Sequence, residues 1–74
     1  MKVEYDKEHD LMNIEFLPDT KIKESEENEG VIIDYSKDGK IVSIEILDAS
    51  KRIEKQTLRD LDAAAAKNQA IAVE

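Results

Sequence analysis

The sequence predicts an α+β fold: a small antiparallel β-sheet of two hairpins, about four or five strands, followed by a C-terminal helix packed on the sheet. Three observations predict it. Apolar and polar residues alternate through two pairs of segments, within residues 3–16 and 31–46, as half-buried strands require. A favoured turn dipeptide, Asp38-Gly39, divides the second pair. Beyond residue 48 the apolar spacing changes to that of a helix face.

The first hairpin rests on Val3 and Tyr5 before a polar connection, Asp6–Asp10, and on Met12, Ile14 and Phe16 after it. If Tyr5 faces Met12, Val3 faces Ile14 on the core side and Lys2 faces Glu15 on the solvent side, both favourable pairings. Pro18 ends the strand because it cannot donate to a ladder. Residues 19–30, DTKIKESEENEG, hold Ile22 as their one large apolar residue. They read equally as a charged edge strand or as a mobile acidic loop.

In the second hairpin Val31, Ile33 and Tyr35 share one face, and Val42, Ile44 and Ile46 share it on the return. An Asp38-Gly39 loop places Tyr35 opposite Val42, Ile33 opposite Ile44 and Val31 opposite Ile46. A four-residue loop, Lys37–Lys40, gives the same pairs. A slip of one residue would break every apolar pair. Asp48 or Ser50 can then cap a helix from about Ser50 to Lys67. Ile53, Thr57, Leu61 and Ala64 or Ala65 form its apolar face, widened by Leu58, and the stretch contains neither Gly nor Pro. The tail, Asn68–Glu74, extends the helix, docks or frays.

Composition bounds the function. The 74 residues are read as one domain, with hairpins in 1–47 and helix and tail in 48–74. A core this small barely offsets the entropy of ordering the chain. The absence of cysteine rules out disulfides and thiolate metal sites. Small domains without such staples gain stability by associating, so a homodimer or another protein partner is expected. The formal charge is −7. It falls mostly on residues 1–30, where ten acids face four bases; residues 31–74 hold eight acids and seven bases. Nucleic-acid binding leaves a basic footprint that this chain lacks, and an acidic surface suits a basic protein partner. No apolar run approaches the ~20 residues of a membrane span, and the opening Met-Lys-Val-Glu-Tyr does not read as a signal peptide. A cytoplasmic protein with no membrane contact is expected.

The segments Gly30-Val31-Ile32-Ile33-Asp34-Tyr35 and Asp38-Gly39-Lys40-Ile41-Val42-Ser43-Ile44-Glu45-Ile46-Leu47-Asp48-Ala49-Ser50, with Tyr5-Asp6-Lys7-Glu8 and Glu24-Ser25-Glu26-Glu27, carry a resemblance. Together they resemble a family of small bacterial and archaeal proteins, the domain-of-unknown-function 2283 family, over about residues 2–53. Asn13, where an aromatic is common, and Ser43, where glycine is common, depart from that pattern. The resemblance implies no catalytic residue. It associates the chain with small protein partners in the manner of antitoxins.

Three groups of residues are candidates for chemistry. Asp34, Ser36, Asp38, Gly39, Ile41 and Glu45 occupy positions 1, 3, 5, 6, 8 and 12 of a twelve-residue calcium loop. Their flanks are β-branched and alternating, which favours a hairpin. There Glu45 would lie about 20 Å of strand beyond Gly39 and could not close on an ion. Asp6, Glu8, His9 and Asp10 in the first connection could hold a divalent metal or form a solvated turn. The acidic run Glu24, Glu26, Glu27 and Glu29 reads as a solvated edge or as a docking surface for a basic protein. Ile32, Ile41 and Leu47 point away from the first core face, so the helix or another chain must cover them.

Enzyme chemistry is not expected. His9 is the sole histidine, no cysteine exists, and Gly30 and Gly39 are the only glycines, too few for a phosphate loop. No cofactor is expected. The function read from the sequence is a non-catalytic, self-associating interaction module. The alternatives are a divalent-metal (calcium) binding protein through Asp34, Asp38, Asp6, His9 and Asp10, and an acidic, antitoxin-like inhibitor of a basic protein.

Overall fold

Five antiparallel strands and two helices, seen in a computed structural model that describes residues 1–66, make up the fold. The strands are β1 (Lys2–Asp6), β2 (Leu11–Glu15), β3 (Glu24–Asn28), β4 (Val31–Tyr35) and β5 (Ile41–Leu47). The helices are α1 (Ala49–Arg52) and α2 (Lys55–Ala66). The sheet order is β1-β2-β5-β4-β3, so the two ends of the first thirty residues form its two edges.

The first hairpin has the expected register: Val3 opposite Ile14, Tyr5 opposite Met12, Lys2 opposite Glu15. Alternation leaves Val3, Tyr5, Met12, Ile14, Ile44, Ile46, Val31 and Ile33 on one face, here the inner face. Residues 24–28, ambiguous in the sequence, are a strand. Val31 and Asn28 flank a two-residue loop, Glu29-Gly30, with φ of 50° and 84°. Positive φ at both loop residues is the turn that matches strand twist. Gly30 also leaves room for Arg52, whose guanidinium lies 2.8 Å from where a Cβ would stand and donates to the Glu29 carbonyl.

The second hairpin departs from expectation at its tip. Val31–Ile46 and Ile33–Ile44 pair as expected, but Tyr35 lies opposite Ile41 rather than Val42. The cause is the loop. Ser36 N–H donates to Lys40 O (2.9 Å), and Lys40 N–H donates back to Ser36 Oγ (3.2 Å). Three residues, Lys37–Gly39, are left to turn, with Gly39 at φ 82°. That loop is one residue shorter than the expected Lys37–Lys40 and one longer than Asp38-Gly39. Val42 becomes the extra residue, absorbed as a bulge.

The single expected helix is two. Ile53 takes an extended conformation (φ −111°, ψ 133°) and ends α1. Glu54 starts α2 by accepting from Gln56 N–H (2.8 Å) through its side chain. The cap of α1 is also not local. Asp48 stands at the N-cap position but in the left-handed region, with no side-chain cap bond. Asp10, forty residues away, does the capping: it accepts from Ser50 N–H (2.9 Å), Ser50 Oγ (2.6 Å) and, at its carbonyl, Ala49 N–H (3.0 Å). Thr57, expected on the apolar face, is exposed and bonded to Glu54. Ile53, Leu58 and Leu61 do pack on the core. The side chains of Ala64 and Ala65, the helix end at Lys67 and the tail Asn68–Glu74 lie outside what is described.

α2 packs against β1. The core cluster is correspondingly one-sided: Val3, Met12 and Ala49 are buried, ringed by Tyr5, Ile14, Ile46, Ile53, Leu58 and Leu61. Met12 is the largest fully buried side chain. Met12→Ala is therefore predicted to cost about 3 kcal/mol of stability, the transfer term plus a cavity. Ile22→Ala, at a position 48% exposed, should change stability by less than about 0.5 kcal/mol. Urea unfolding of both variants checks this.

Candidate interaction surface

The outer face is polar and has no helix from the described residues packed across it. Two rows run its full width. One is Glu4, Asn13, Glu45, Ile32, Glu27 from β1 to β3; the next is Lys2, Glu15, Ser43, Asp34, Ser25. In the second row the buried carboxylate of Asp34 accepts from Ser25 Oγ (2.6 Å) on one side and Ser43 Oγ (2.6 Å) on the other. One side chain thus ties three strands together and fixes the edge strand β3 in register. In the first row Asn13 Oδ1 is buried without a hydrogen-bond partner.

The expected surface residues divide between places. Glu24 and Glu26 stand opposite Tyr35 and Ile33 on the inner face, while Glu27 stands opposite Ile32 on the outer face. Glu29 is in the β3–β4 turn, its carbonyl held by Arg52. Leu47, 37% exposed, and half-buried Ile32 share the outer face with Leu11. Ile41, 42% exposed, lies opposite Tyr35 and is taken out of that row by the bulge.

The candidate metal residues are not brought together as one set. Asp34 is engaged by the two serines in the sheet. Asp38 belongs to its own loop, where the Ser36 hydroxyl donates to it and Lys40 lies 3.7 Å away. Residues 34–45 form a hairpin, with β4 ending at Tyr35 and β5 starting at Ile41. Asp10 turns toward Ser50 and Tyr5, whose hydroxyl donates to it at 2.6 Å. Asp6, Glu8 and His9, all exposed, have ligand atoms within 4.8 Å of one another. Asp6 is already occupied by that turn: it accepts from the backbone N–H groups of Glu8 (3.0 Å) and His9 (3.3 Å), and His9 Nδ1 lies 2.7 Å away.

Sequence reasoning missed the basic part of this surface. Lys21, Ile22, Lys23 and Lys37 line a recess of about 290 Å³ beside the start of β3. Glu24, Glu26, Tyr35 and Ser36, with Lys37 and Gly39, line a neighbouring one of about 370 Å³. The order of charge along residues 21–27, basic then acidic, is the signal that could have found it.

Three carboxyls sit below their ordinary range: Asp6 through the bond from His9, Asp10 through the hydroxyls of Ser50 and then Tyr5, and Asp38 through Ser36. A carboxylate lowered by folding contributes stability above its unfolded value, and that contribution is lost as pH falls through the folded value. Stability is therefore predicted to hold above the ordinary 3.8 of an aspartate and to decline below it. Asp10→Asn should be less stable at neutral pH and show a shallower acid decline. Urea unfolding across a pH series measures both.

The model of a family described as protein of unknown function (DUF2283) matches residues 2–50, two-thirds of the chain, and the chain belongs to that family. No curated protein and no solved structure matches it significantly. No described helix is long and apolar enough to cross a membrane.

Proposed function

We propose that this member of the DUF2283 family is a non-catalytic protein-interaction module that self-associates. One observation carries the reading: the core is too thin for the sheet. Among the described residues the buried apolar side chains are Val3, Met12, Val42 and Ala49, while Met1, Phe16, Ile22, Ile41 and Leu47 expose 37–48% of their surface. Val31, Ile33 and Ile44 continue the inner face beyond the core cluster and are only half-buried. With no cysteine for a disulfide, association is a route by which so small a domain buries more apolar area.

The polar groups support the same reading. Ser25, Ser36, Ser43 and Ser50 each give their hydroxyl to an aspartate. An aspartate is a weak base for activating serine, and the one imidazole is bonded to Asp6 in an exposed turn. Nucleophile, base and orienting group do not converge on one place among the described residues.

Sedimentation equilibrium is the test. At about 100 µM, a concentration that populates even micromolar complexes, the predicted mass is twice the 8.4 kDa of one chain. A single-chain mass at that concentration would overturn the reading.

A further inference from the structure

The outer side of β3 is an open ladder: among the described residues its one neighbour in the sheet is β4. The two-residue turn makes Asn28 and Val31 a hydrogen-bonded pair, so Asn28, Glu26 and Glu24 direct their N–H and C=O groups to β4. Ser25 and Glu27 direct theirs outward, while the Lys23 N–H turns back to the Tyr35 carbonyl (2.7 Å). Unpaired groups in a row are a template for another strand.

Charge decides which strand fits. Along this edge Lys21 and Lys23 come first, and Glu24, Glu26 and Glu27 follow. Each of these five is exposed, and none has an ion-pair partner among the described residues. The two recesses repeat the division, one lined by Lys21, Ile22, Lys23 and Lys37, the other by Glu24, Glu26 and Tyr35. Lys37 borders both. Ile22, the most exposed of the large apolar residues, lies among the lysines.

A two-fold contact uses the same patch on both sides, so the patch must complement itself. A parallel, in-register strand would set lysine beside lysine and glutamate beside glutamate, which is destabilising. An antiparallel copy turned about an axis near Glu24 does the reverse. Lys21 of each chain then stands opposite Glu27 of the other, with Lys23 diagonal to that glutamate, on both sides of the axis. Glu24 meets its own counterpart at the centre, with Glu26 diagonal to it, and these are the like-charge contacts of the arrangement. We infer that residues 21–28 of a second copy occupy the open β3 ladder, antiparallel, so that one sheet runs through both chains. The inference rests on the self-association proposed above and names where it occurs. The edge charges then act as an address: they reject stacked, in-register growth and accept a contact that closes at two copies.

Two charge-reversed variants of the full chain test it by sedimentation equilibrium. Lys21→Glu/Lys23→Glu makes an acidic protein more acidic; Glu27→Lys makes it less so. General repulsion predicts that the first weakens the dimer and the second strengthens it. Edge pairing predicts that each alone weakens it by on the order of tenfold or more, and that an equimolar mixture restores a dimer of the two variants. Restoration also shows that both variants are folded. A dimer of unchanged affinity in both variants would overturn the inference while leaving self-association standing. A monomeric wild-type chain would remove both.

Discussion

Asp10 lies in the turn of the first hairpin, yet it caps a helix that begins almost forty residues later. Its carboxylate receives the Ser50 amide and hydroxyl and the Tyr5 hydroxyl, and its carbonyl receives the Ala49 amide. Ala49 follows directly as a fully buried residue. The helical segment is thereby delivered to the β1–β2 side of the sheet. The extended residue Ile53 then redirects the chain, and α2 packs against β1. The core cluster of Val3, Met12 and Ala49 lies near this anchor, while Val42, Asp34, Ser36 and Ser43 are buried outside it.

The far side of the sheet follows from the same placement. A twelve-residue α2 covers roughly 18 Å of length, and it is spent on the β1 edge. β4 and β5 keep their alternating apolar residues half-buried, and β3 keeps none. β3 is held instead by polar means, through the Ser25–Asp34–Ser43 chain and the tight Glu29-Gly30 turn. The Arg52 guanidinium on the Glu29 carbonyl ties the helical segment to that far edge. Among the described residues, then, one edge strand, β1, has a helix against it and the other, β3, has none. The β3 edge carries both signs of charge, Lys21 and Lys23 before Glu24, Glu26 and Glu27.

Much of the fold was legible in the sequence because period-2 alternation leaves little choice of register. Shifting Val3 against Ile14, or Ile33 against Ile44, exposes a whole apolar face. What escaped was decided by hydrogen bonds that leave no periodic trace. Ser36 closing on Lys40 moved Tyr35 opposite Ile41. Glu54 interrupted the helix where neither Gly nor Pro marked a stop. β3 has no apolar side chain at all, so its strand character comes from β4 and Asp34 rather than from its own composition. The acidic half of the candidate surface was visible as a run of glutamates. The lysines that complete it sit beside β3 and, for Lys37, in another loop that only folding brings near.

Residue-resolved amide hydrogen exchange, followed over a range of protein concentration, tests this account most directly. The amides of Ala49 and Ser50 are bonded within the chain to Asp10, and their protection should not depend on concentration. The amides of Ser25 and Glu27 face outward from the sheet edge and should exchange fast in dilute solution and slowly when concentrated. Fast exchange of Ser25 and Glu27 at every concentration would contradict it, as would concentration-dependent protection confined to residues remote from β3.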